Sequence, residues 1–290
     1  MAINYASEYK AKVDERFNRA SQAALALNND YKFTGTKTVI VYSIPTAPLN
    51  DYTRSGTNRY GIPSDLQDTT QELTIDQDKA FSFVVDRGDK VQTQMSHDAG
   101  KALARQMKEV VIPFYDHYVF DAMARAAQAK GNTASTTVTK SNAYEQFLAA
   151  QEALGDANVP DSGRVCFCSY KFGNLLKQDP AFMLASERSK QAIDRGIIGT
   201  VDGVKIVMVP KSRLPYNSAT SGGTTTYTYC TDFILTHPIA TTAPKQLEEY
   251  KIHDNPPGIS GWLVEGRILF GCFVMKNKAD AIFYHGAALT

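Results

Sequence analysis

A long polar stretch, bounded on both sides by strand-like sequence, constrains the fold of this chain more than any other feature. Residues 49–68 are rich in Asn, Asp, Ser, Thr, Gly, Arg and Tyr and hold few aliphatic side chains, so they cannot bury a core of their own. The segment 37–44 before them is β-branched and aromatic, and in segments 72–75 and 80–85 after them apolar residues alternate with others. This pattern predicts an extended β-loop with an exposed tip. Because loops of this length are uncommon unless they are functional or disordered, we expect the tip to contact a partner.

The charged and aromatic side chains of this loop are predicted to lie between subunits. Charges on a segment without a core are solvated or paired with a neighbour, whereas catalytic carboxylates usually need burial to tune their pKa. Lys37, Arg54 and Arg59 form a basic set suited to ion pairs across subunits, and tyrosine is favoured at protein interfaces. The predicted contact residues of the loop are Asp51, Tyr52, Arg54, Arg59, Tyr60, Asp65, Asp68 and Glu72.

The strongest helical pattern in the chain lies between His97 and Lys130. It predicts a helix about 50 Å long at ~1.5 Å per residue, with Ser96 as N-cap and Gly131 just past its end. Pro113 lacks an N–H donor and is expected to bend the helix or end its first half unless neighbouring groups compensate. The apolar stripe predicted to face the core comprises Ala99, Leu103, Met107, Val110, Phe114, Tyr118, Ala122 and Ala126.

The N-terminal residues 1–30 are predicted to form an amphipathic, helix-prone arm that ends at residues 28–30. Apolar positions such as Phe17 recur among charged ones, which is typical of a segment that packs one face against a partner. We expect the arm to reach another subunit, with Tyr9 and Phe17 in contact.

The remaining sequence alternates helical and strand-like segments. Helices are predicted at 143–154, 170–176 and 181–193, and strands at 164–169 and 204–209. The segment 218–226 is rich in Ser, Thr and Gly and is expected to be a flexible surface loop. Further strands are expected around Trp262, at 270–275 and at 281–284.

Composition and charge exclude several classes of protein. The chain has 290 residues, 43% hydrophobic and 21% charged, which is typical of one or two globular domains and not of a disordered protein. A net charge of +1 gives no global reason to bind nucleic acid or an anionic membrane. The best apolar run, 268–275, is far shorter than a membrane span. No leader or lipidation signal is evident, so a cytoplasmic location is expected.

A search for chemical motifs predicts no catalytic, cofactor or metal site. Cys166 and Cys168 would share one face of a strand, but no further Cys or His lies near enough to complete a metal site. The five histidines are scattered, and no phosphate-binding loop, dinucleotide pattern or serine elbow is present. Carboxylates for metal or acid–base chemistry could come from Asp65, Asp68 and Glu72, or from Asp76, Asp78 and Asp86, but solvation or pairing is the favoured interpretation.

The order of these elements resembles the major capsid proteins of tailed double-stranded DNA phages, a fold shared with encapsulins and the herpesvirus capsid floor. Segments 37–41 and 51–54 look like the first strand and tip of that family's extended loop, and 73–86 looks like its return arm. Segment 196–206 with Pro215 is similar to a turn and strand of the family's axial domain, and 266–271 resembles strands of its peripheral domain.

This resemblance implies an α+β fold with five parts. They are an N-terminal arm at 1–30, an extended β-loop with flanking strands at 31–95, a peripheral domain with a spine helix at 96–140, an α/β axial domain at 141–250, and strands returning to the peripheral domain at 251–290.

The resemblance also implies self-assembly into the hexamers and pentamers of an icosahedral shell that encloses double-stranded DNA by weak, non-specific contact. Because the arm is short and carries no fused scaffolding segment, a separate scaffolding protein is expected, together with a portal and decoration proteins. The protein would assemble in the host cytoplasm and reside in the virion capsid. The alternatives are an encapsulin-like nanocompartment shell and, more distantly, a soluble α/β enzyme.

Overall fold

A computed structural model provides the architecture. It describes residues 21–28, 38–43, 46–47, 49–62, 65, 68–88, 99–179, 197–221, 224–229 and 231–289. The predicted helix at 181–193 and most of the predicted arm, including Tyr9 and Phe17, lie outside these residues, as do Lys37, Ser96 and His97.

The described elements alternate between strands and helices along most of the chain. The helices are α1 (Ala99–Gln106), α2 (Ile112–Lys130), α3 (Ala143–Asp156) and α4 (Tyr170–Gln178), with a π-helical turn at Met107–Val111 and short 3₁₀ segments at Ala23–Ala26, Lys211–Arg213, Pro238–Ala240 and Lys276–Ala281. The strands are β1 (Thr38–Ser43), β2 (Thr69–Thr74), β3 (Gln77–Asp86), β4 (Thr133–Ala134), β5 (Val165–Ser169), β6 (Ile197–Val201), β7 (Val204–Val209), β8 (Tyr216–Ser221), β9 (Thr224–Tyr229), β10 (Thr231–Thr236), β11 (Thr241–Thr242), β12 (Lys245–Asp254), β13 (Gly261–Phe270), β14 (Phe273–Val274) and β15 (Ile282–Gly286).

A mixed six-stranded sheet, in the order β4-β15-β10-β5-β7-β6, lies between two helical layers. On β5, Val165 and Phe167 pack towards α2, where the rings of Phe120 and Phe167 lie 4.8 Å apart. Cys166 and Cys168 point to the opposite face and pack with α3 and α4. Both faces of the strand are therefore buried, which explains why its sequence is almost continuously apolar.

The spine helix, defined here as α1, the π turn and α2, continues through Pro113. In the π turn the Ile112 N–H donates to the Met107 carbonyl, five residues earlier instead of four. This wider turn lies directly before Pro113 and is the local compensation that lets the helix continue despite the missing donor. The helix ends at Gly131, whose φ of 82° is left-handed, as its predicted position just past the helix end requires.

The π turn also changes which residues of the spine helix are buried. A turn with one extra residue shifts every later side chain around the helix, so the buried face moves from position 110 to 111 and from 114 to 115. Val110 and Phe114 are in consequence 51% and 42% exposed, and their predicted burial is wrong. The buried residues that replace the second half of the stripe are Val111, Tyr115, Val119, Met123 and Ala127.

A second sheet, antiparallel and in the order β12-β13-β3, packs one face against α1. Its other face carries exposed ion pairs, including Arg267 with Asp78 at 2.9 and 2.6 Å and Lys251 with Glu249 at 3.2 Å. Each such exposed pair contributes little to stability.

The structure differs from the sequence expectations at one further place. Residues 218–221 and 224–226 belong to the antiparallel hairpin of β8 and β9, because their Thr residues favour paired strands over an irregular loop. Strand β15 pairs with β10 in the six-stranded sheet.

Candidate assembly surfaces

Strands β1 and β2 form the paired base of the predicted loop, here called the ribbon. They are antiparallel over their whole length, with Thr38 opposite Thr74 and Ser43 opposite Thr69. Because side chains alternate along a strand, Val39, Val41 and Leu73 face the protein while Ile40 and Tyr42 face outwards. The extended β-loop expected from the sequence is thus confirmed in its paired part.

The root of the ribbon is fastened to the chain near β14. The Gln71 amide donates to the Val274 carbonyl at 3.1 Å and accepts from the Lys276 N–H at 3.0 Å. Asn277 donates to the Ser43 hydroxyl. Beneath these bonds a small apolar cluster of Leu73, Ile75 and Met275 is buried. The root therefore has a defined position, and it sets the direction in which the loop leaves the body of the protein.

The tip of the loop is ordered by contacts within itself. The Thr53 N–H donates to the Arg59 carbonyl at 3.0 Å, and the Gly61 N–H donates to the Asn58 carbonyl at 2.9 Å. The rings of Tyr52 and Tyr60 meet edge to face at 5.1 Å. These short-range bonds shape the tip without giving it a core.

The eight predicted contact residues of the loop are all exposed. Within the described ranges none of their charged side chains forms an ion pair. This exposure leaves their charges available to another molecule, and their contact with a neighbouring subunit stays a prediction. The residues concerned are Asp51, Tyr52, Arg54, Arg59, Tyr60, Asp65, Asp68 and Glu72.

Several apolar residues of the loop that the sequence reasoning did not select are also highly exposed. Leu49 is completely exposed, Ile62 is 82% exposed, and the outward face of β1 adds Ile40 and Tyr42. A single exposed leucine is ordinary, but several along one projecting element indicate a contact surface. The alternation within 38–43 was the signal available in the sequence, because one face of a ribbon must point outwards.

The end of the arm nearest the body is held by a buried carboxylate on α2. Asp116, fully buried, accepts hydrogen bonds from the Ser21 hydroxyl, from the Gln22 N–H at 3.1 Å and from Arg213 Nη1 at 2.9 Å. Burial raises its pKa, and the hydrogen bonds and the Arg213 charge offset part of that rise. Residues 21–28 therefore pack on their own chain, and contact of the arm with another subunit stays a prediction.

The acidic residues after the loop have structural partners. Asp78 is paired with Arg267, whose hydrogen bond lowers the pKa of Asp78. Asp76 accepts from the Tyr118 hydroxyl at 2.7 Å, and Asp86 accepts from the Gly88 N–H at 2.7 Å. They do not converge on a common point that would suit a metal or an acid–base pair.

The cysteines lie in apolar surroundings. Burial raises the pKa of Cys168 to about 12 and that of Cys166 well above its usual value, so both are protonated thiols. Among the described residues there is no group of three or more His, Cys, Asp or Glu side chains that could hold a metal ion. In the same part of the chain no helix is long and apolar enough to cross a membrane.

A groove runs along the exposed side of the spine helix and is called the spine groove here. Two adjoining cavities of about 240 and 500 Å³ form it, and both are lined by Lys79 and Phe114. Gln106 and Val110 line the first cavity, whereas His117, Tyr118, Asp121, Ser212, Tyr216 and Tyr229 line the second. The groove exists because the π turn rotates Val110 and Phe114 out of the core.

Comparison of the sequence with family models and with curated proteins finds no match. Comparison of the structure with solved structures finds clear ones. A chain of Mycobacterium phage Che8 aligns with a TM-score of 0.65 at 20% identity, covering 91% of this chain and 89% of that one. A chain from the capsid of cyanophage P-SCSP1u aligns with a TM-score of 0.65 at 15% identity, over 89% and 86% of the two chains.

A virus-like particle from Pyrococcus furiosus is also similar, with a TM-score of 0.57 at 11% identity over 98% of this chain and 100% of that one. Each alignment spans about nine-tenths of the chain or more, so the likeness extends over most of the fold. The chain therefore has the major capsid protein fold of tailed phages, as its sequence resemblance predicts.

Proposed function

We propose that this protein is the major capsid protein of a tailed double-stranded DNA phage and that it assembles into the hexamers and pentamers of an icosahedral shell around the genome. The observation that carries the proposal is the exposed loop on this fold. Its root is fixed by Gln71 and a buried apolar cluster, while its tip projects Leu49, Tyr60 and Ile62 without covering them within the described part of the chain. A projecting apolar element with a rigid root is suited to lie over an adjacent subunit.

Two kinds of loop residue would contribute to the proposed contact with an adjacent subunit. The aliphatic and tyrosine side chains would provide the buried centre of the interface, where aromatic residues are enriched and charges are depleted. The charged side chains, such as Arg54, Arg59 and Asp65, would form its rim and select the correct neighbour, since rim charges affect specificity and association rate more than affinity.

The test is assembly of the purified protein, expressed alone and together with its neighbouring genes, observed by negative-stain electron microscopy and light scattering. Closed shells, tubes or rings of subunits are the expected result. A uniform monomer or dimer under every condition would contradict the proposal.

A loop variant tests the role of the tip. Replacing residues 50–68 by a short Gly-Ser linker is expected to abolish assembly while far-UV circular dichroism stays unchanged, because the segment buries no core. Tyr60→Ser with Ile62→Ser is the finer change. The matched control is Leu148→Ser, which removes an apolar residue of 40% exposure from α3. Equal assembly of the loop variants and the control would show that the tip is not an interface.

Further partners follow from the proposed role. A separate scaffolding protein, a portal and decoration proteins would act with the shell. Packaged DNA would contact the inner surface of the shell weakly, and a net charge of +1 is compatible with such weak contact. The protein would assemble in the host cytoplasm and remain in the virion, and we propose no catalytic role for it.

A second candidate is a nanocompartment shell that encloses cargo proteins instead of a genome. The likeness to the virus-like particle from Pyrococcus furiosus, over 98% of this chain, favours it. Nuclease-protected nucleic acid inside purified particles would support the phage capsid, whereas co-purifying protein cargo without nucleic acid would support the compartment.

A further inference from the structure

The second cavity of the spine groove, called the tyrosine cavity here, is rich in aromatic side chains. It has a volume of about 500 Å³, within the range of ~300–1,000 Å³ that is usual for small-ligand sites. The rings of His117, Tyr216 and Tyr229 meet edge to face in sequence, with centroids 4.4 and 5.4 Å apart. Phe114 and Tyr229 stay 42% and 39% exposed. Open aromatic rings in a cavity favour a ligand that has a planar ring of its own.

A lysine lies over each of the two exposed rings. Lys79 Nζ is 5.7 Å from the centroid of the Phe114 ring, and Lys211 Nζ is 5.4 Å from that of the Tyr229 ring. Among the described residues neither lysine forms an ion pair with a carboxylate. Each place therefore combines an aromatic ring with a positive charge that is available to an anion. Proteins that bind single-stranded nucleic acid use this combination for the base and the phosphate of a nucleotide.

The carboxylates beside the cavity do not neutralise both lysines. Asp121 is already paired with Arg125 at 2.8 Å. Asp76 accepts a hydrogen bond from Tyr118, and no cation in the described part of the chain pairs with it. Burial lowers the pKa of His117, so its imidazole is neutral at pH 7 and adds no charge. Two available lysines against one unpaired carboxylate leave the cavity positive, which favours an anionic ligand.

A buried nitrogen of the cavity wall also lacks a partner. His117 lines the cavity, and its Nε2 atom forms no hydrogen bond within the described ranges. Most buried polar groups are hydrogen-bonded, so an unsatisfied one requires an explanation. The edge of a nucleobase carries both donors and acceptors, so a base beside His117 can supply the missing bond. The exposed rings, the positive charge and this nitrogen are all suited to the same class of ligand.

We propose that the tyrosine cavity binds a nucleotide, with the base against the rings of Phe114 and Tyr229 and phosphate groups bound by Lys79 and Lys211. A free nucleotide and a nucleotide within a single strand offer the same chemistry. In a double helix the bases are already paired and stacked, so duplex DNA does not present a base to the cavity. The proposal goes beyond the proposed shell function and does not depend on it.

Fluorescence anisotropy of the full-length, unassembled protein tests the proposal. The probe is a fluorescein-labelled oligothymidylate of about ten nucleotides, at low salt, and saturable binding is expected. Lys79→Ala with Lys211→Ala should weaken binding by roughly fivefold or more, because phosphate contacts are lost. Tyr229→Ala should weaken it by a similar factor, whereas Tyr229→Phe keeps the ring and should bind like the wild type. The matched control is Tyr170→Ala with Lys171→Ala on α4, which removes a tyrosine of 49% exposure and a lysine away from the groove.

Two further probes identify the source of the ligand and exclude a simple anion effect. Displacement of the oligonucleotide by AMP would assign the cavity to a free nucleotide, and displacement by unlabelled oligothymidylate alone would assign it to a single strand; either result supports the proposal. Equal affinity for a fluorescein-labelled polyglutamate peptide of the same length would assign the cavity to acidic peptides and overturn it. Absence of saturable binding, unchanged binding by Tyr229→Ala, or an equal loss in the control variant would also overturn it.

Discussion

Replacing Asp116 with alanine tests how the arm root is held. The change removes an acceptor from the Ser21 hydroxyl and the Gln22 N–H and leaves Arg213 without its carboxylate. Breaking a buried ion pair by deleting one partner costs about 3–5 kcal/mol. Because the Arg213 side chain is 18% exposed, water can solvate part of its charge. We therefore expect Asp116→Ala to lower the free energy of unfolding by about 3 kcal/mol, the lower end of that range.

The assay is urea denaturation of the unassembled subunit, followed by circular dichroism. Asp121→Ala is the matched control, since it removes a carboxylate from the same helix whose ion-pair partner among the described residues is Arg125, 50% exposed. It should cost less than about 0.5 kcal/mol. In a double-mutant cycle, Arg213→Met should recover part of the loss, with a coupling energy of about 1–2 kcal/mol. A loss below about 1 kcal/mol for Asp116→Ala, or strict additivity with Arg213→Met, would refute the reasoning.

Three further predictions concern pH, the ribbon root and the helix end. Because burial raises the pKa of Asp116 above the ordinary 3.8, the stability gained by protonating this carboxyl is complete below that value and is lost as the pH rises through the raised pKa. The unfolding free energy of the wild type minus that of Asp116→Asn should therefore fall between pH 4 and neutrality, and a difference that grows with pH would contradict this. Leu73→Ala removes a fully buried side chain from a small cluster near the surface and should lower the stability of the ribbon by about 2–3 kcal/mol. The measurement is hydrogen exchange of residues 38–43, which should become faster. Unchanged exchange would show that the cluster does not hold the ribbon. Gly131→Ala should lower the free energy of unfolding by about 1 kcal/mol, because residue 131 has a φ of 82°. No atom lies within 4 Å of an added Cβ, so the expected cost is backbone strain alone. An unchanged thermal unfolding midpoint would contradict this.

The arm root and the loop differ in how they relate to assembly. Asp116 binds residues 21–23 to their own spine helix, so this junction exists in the free subunit. The loop tip has no such attachment among the described residues and exposes its apolar side chains. Variants at the junction should therefore change subunit stability first, whereas variants at the tip should change assembly without changing stability.

The sequence by itself determined the elements whose physical cause is local. Alternation over 38–43 and 72–75 indicates paired strands, and the polar composition of 49–68 excludes a core between them. A stripe with a period near 3.6 predicts the spine helix, and glycine at position 131 predicts where it ends. The order of these elements was sufficient to indicate the capsid fold, because that order reflects the topology and not any single motif.

Only the tertiary structure decided which surfaces are exposed. The extra residue of the π turn at 107–111 depends on the geometry beside Pro113, and it alone turns Val110 and Phe114 out of the core. The bond between Ser21 and Asp116 joins residues 95 positions apart, so no local pattern could reveal it. Periodicity shows which residues are apolar, but burial depends on the packing of distant segments. This packing formed both the spine groove and the attachment of residues 21–23 to Asp116.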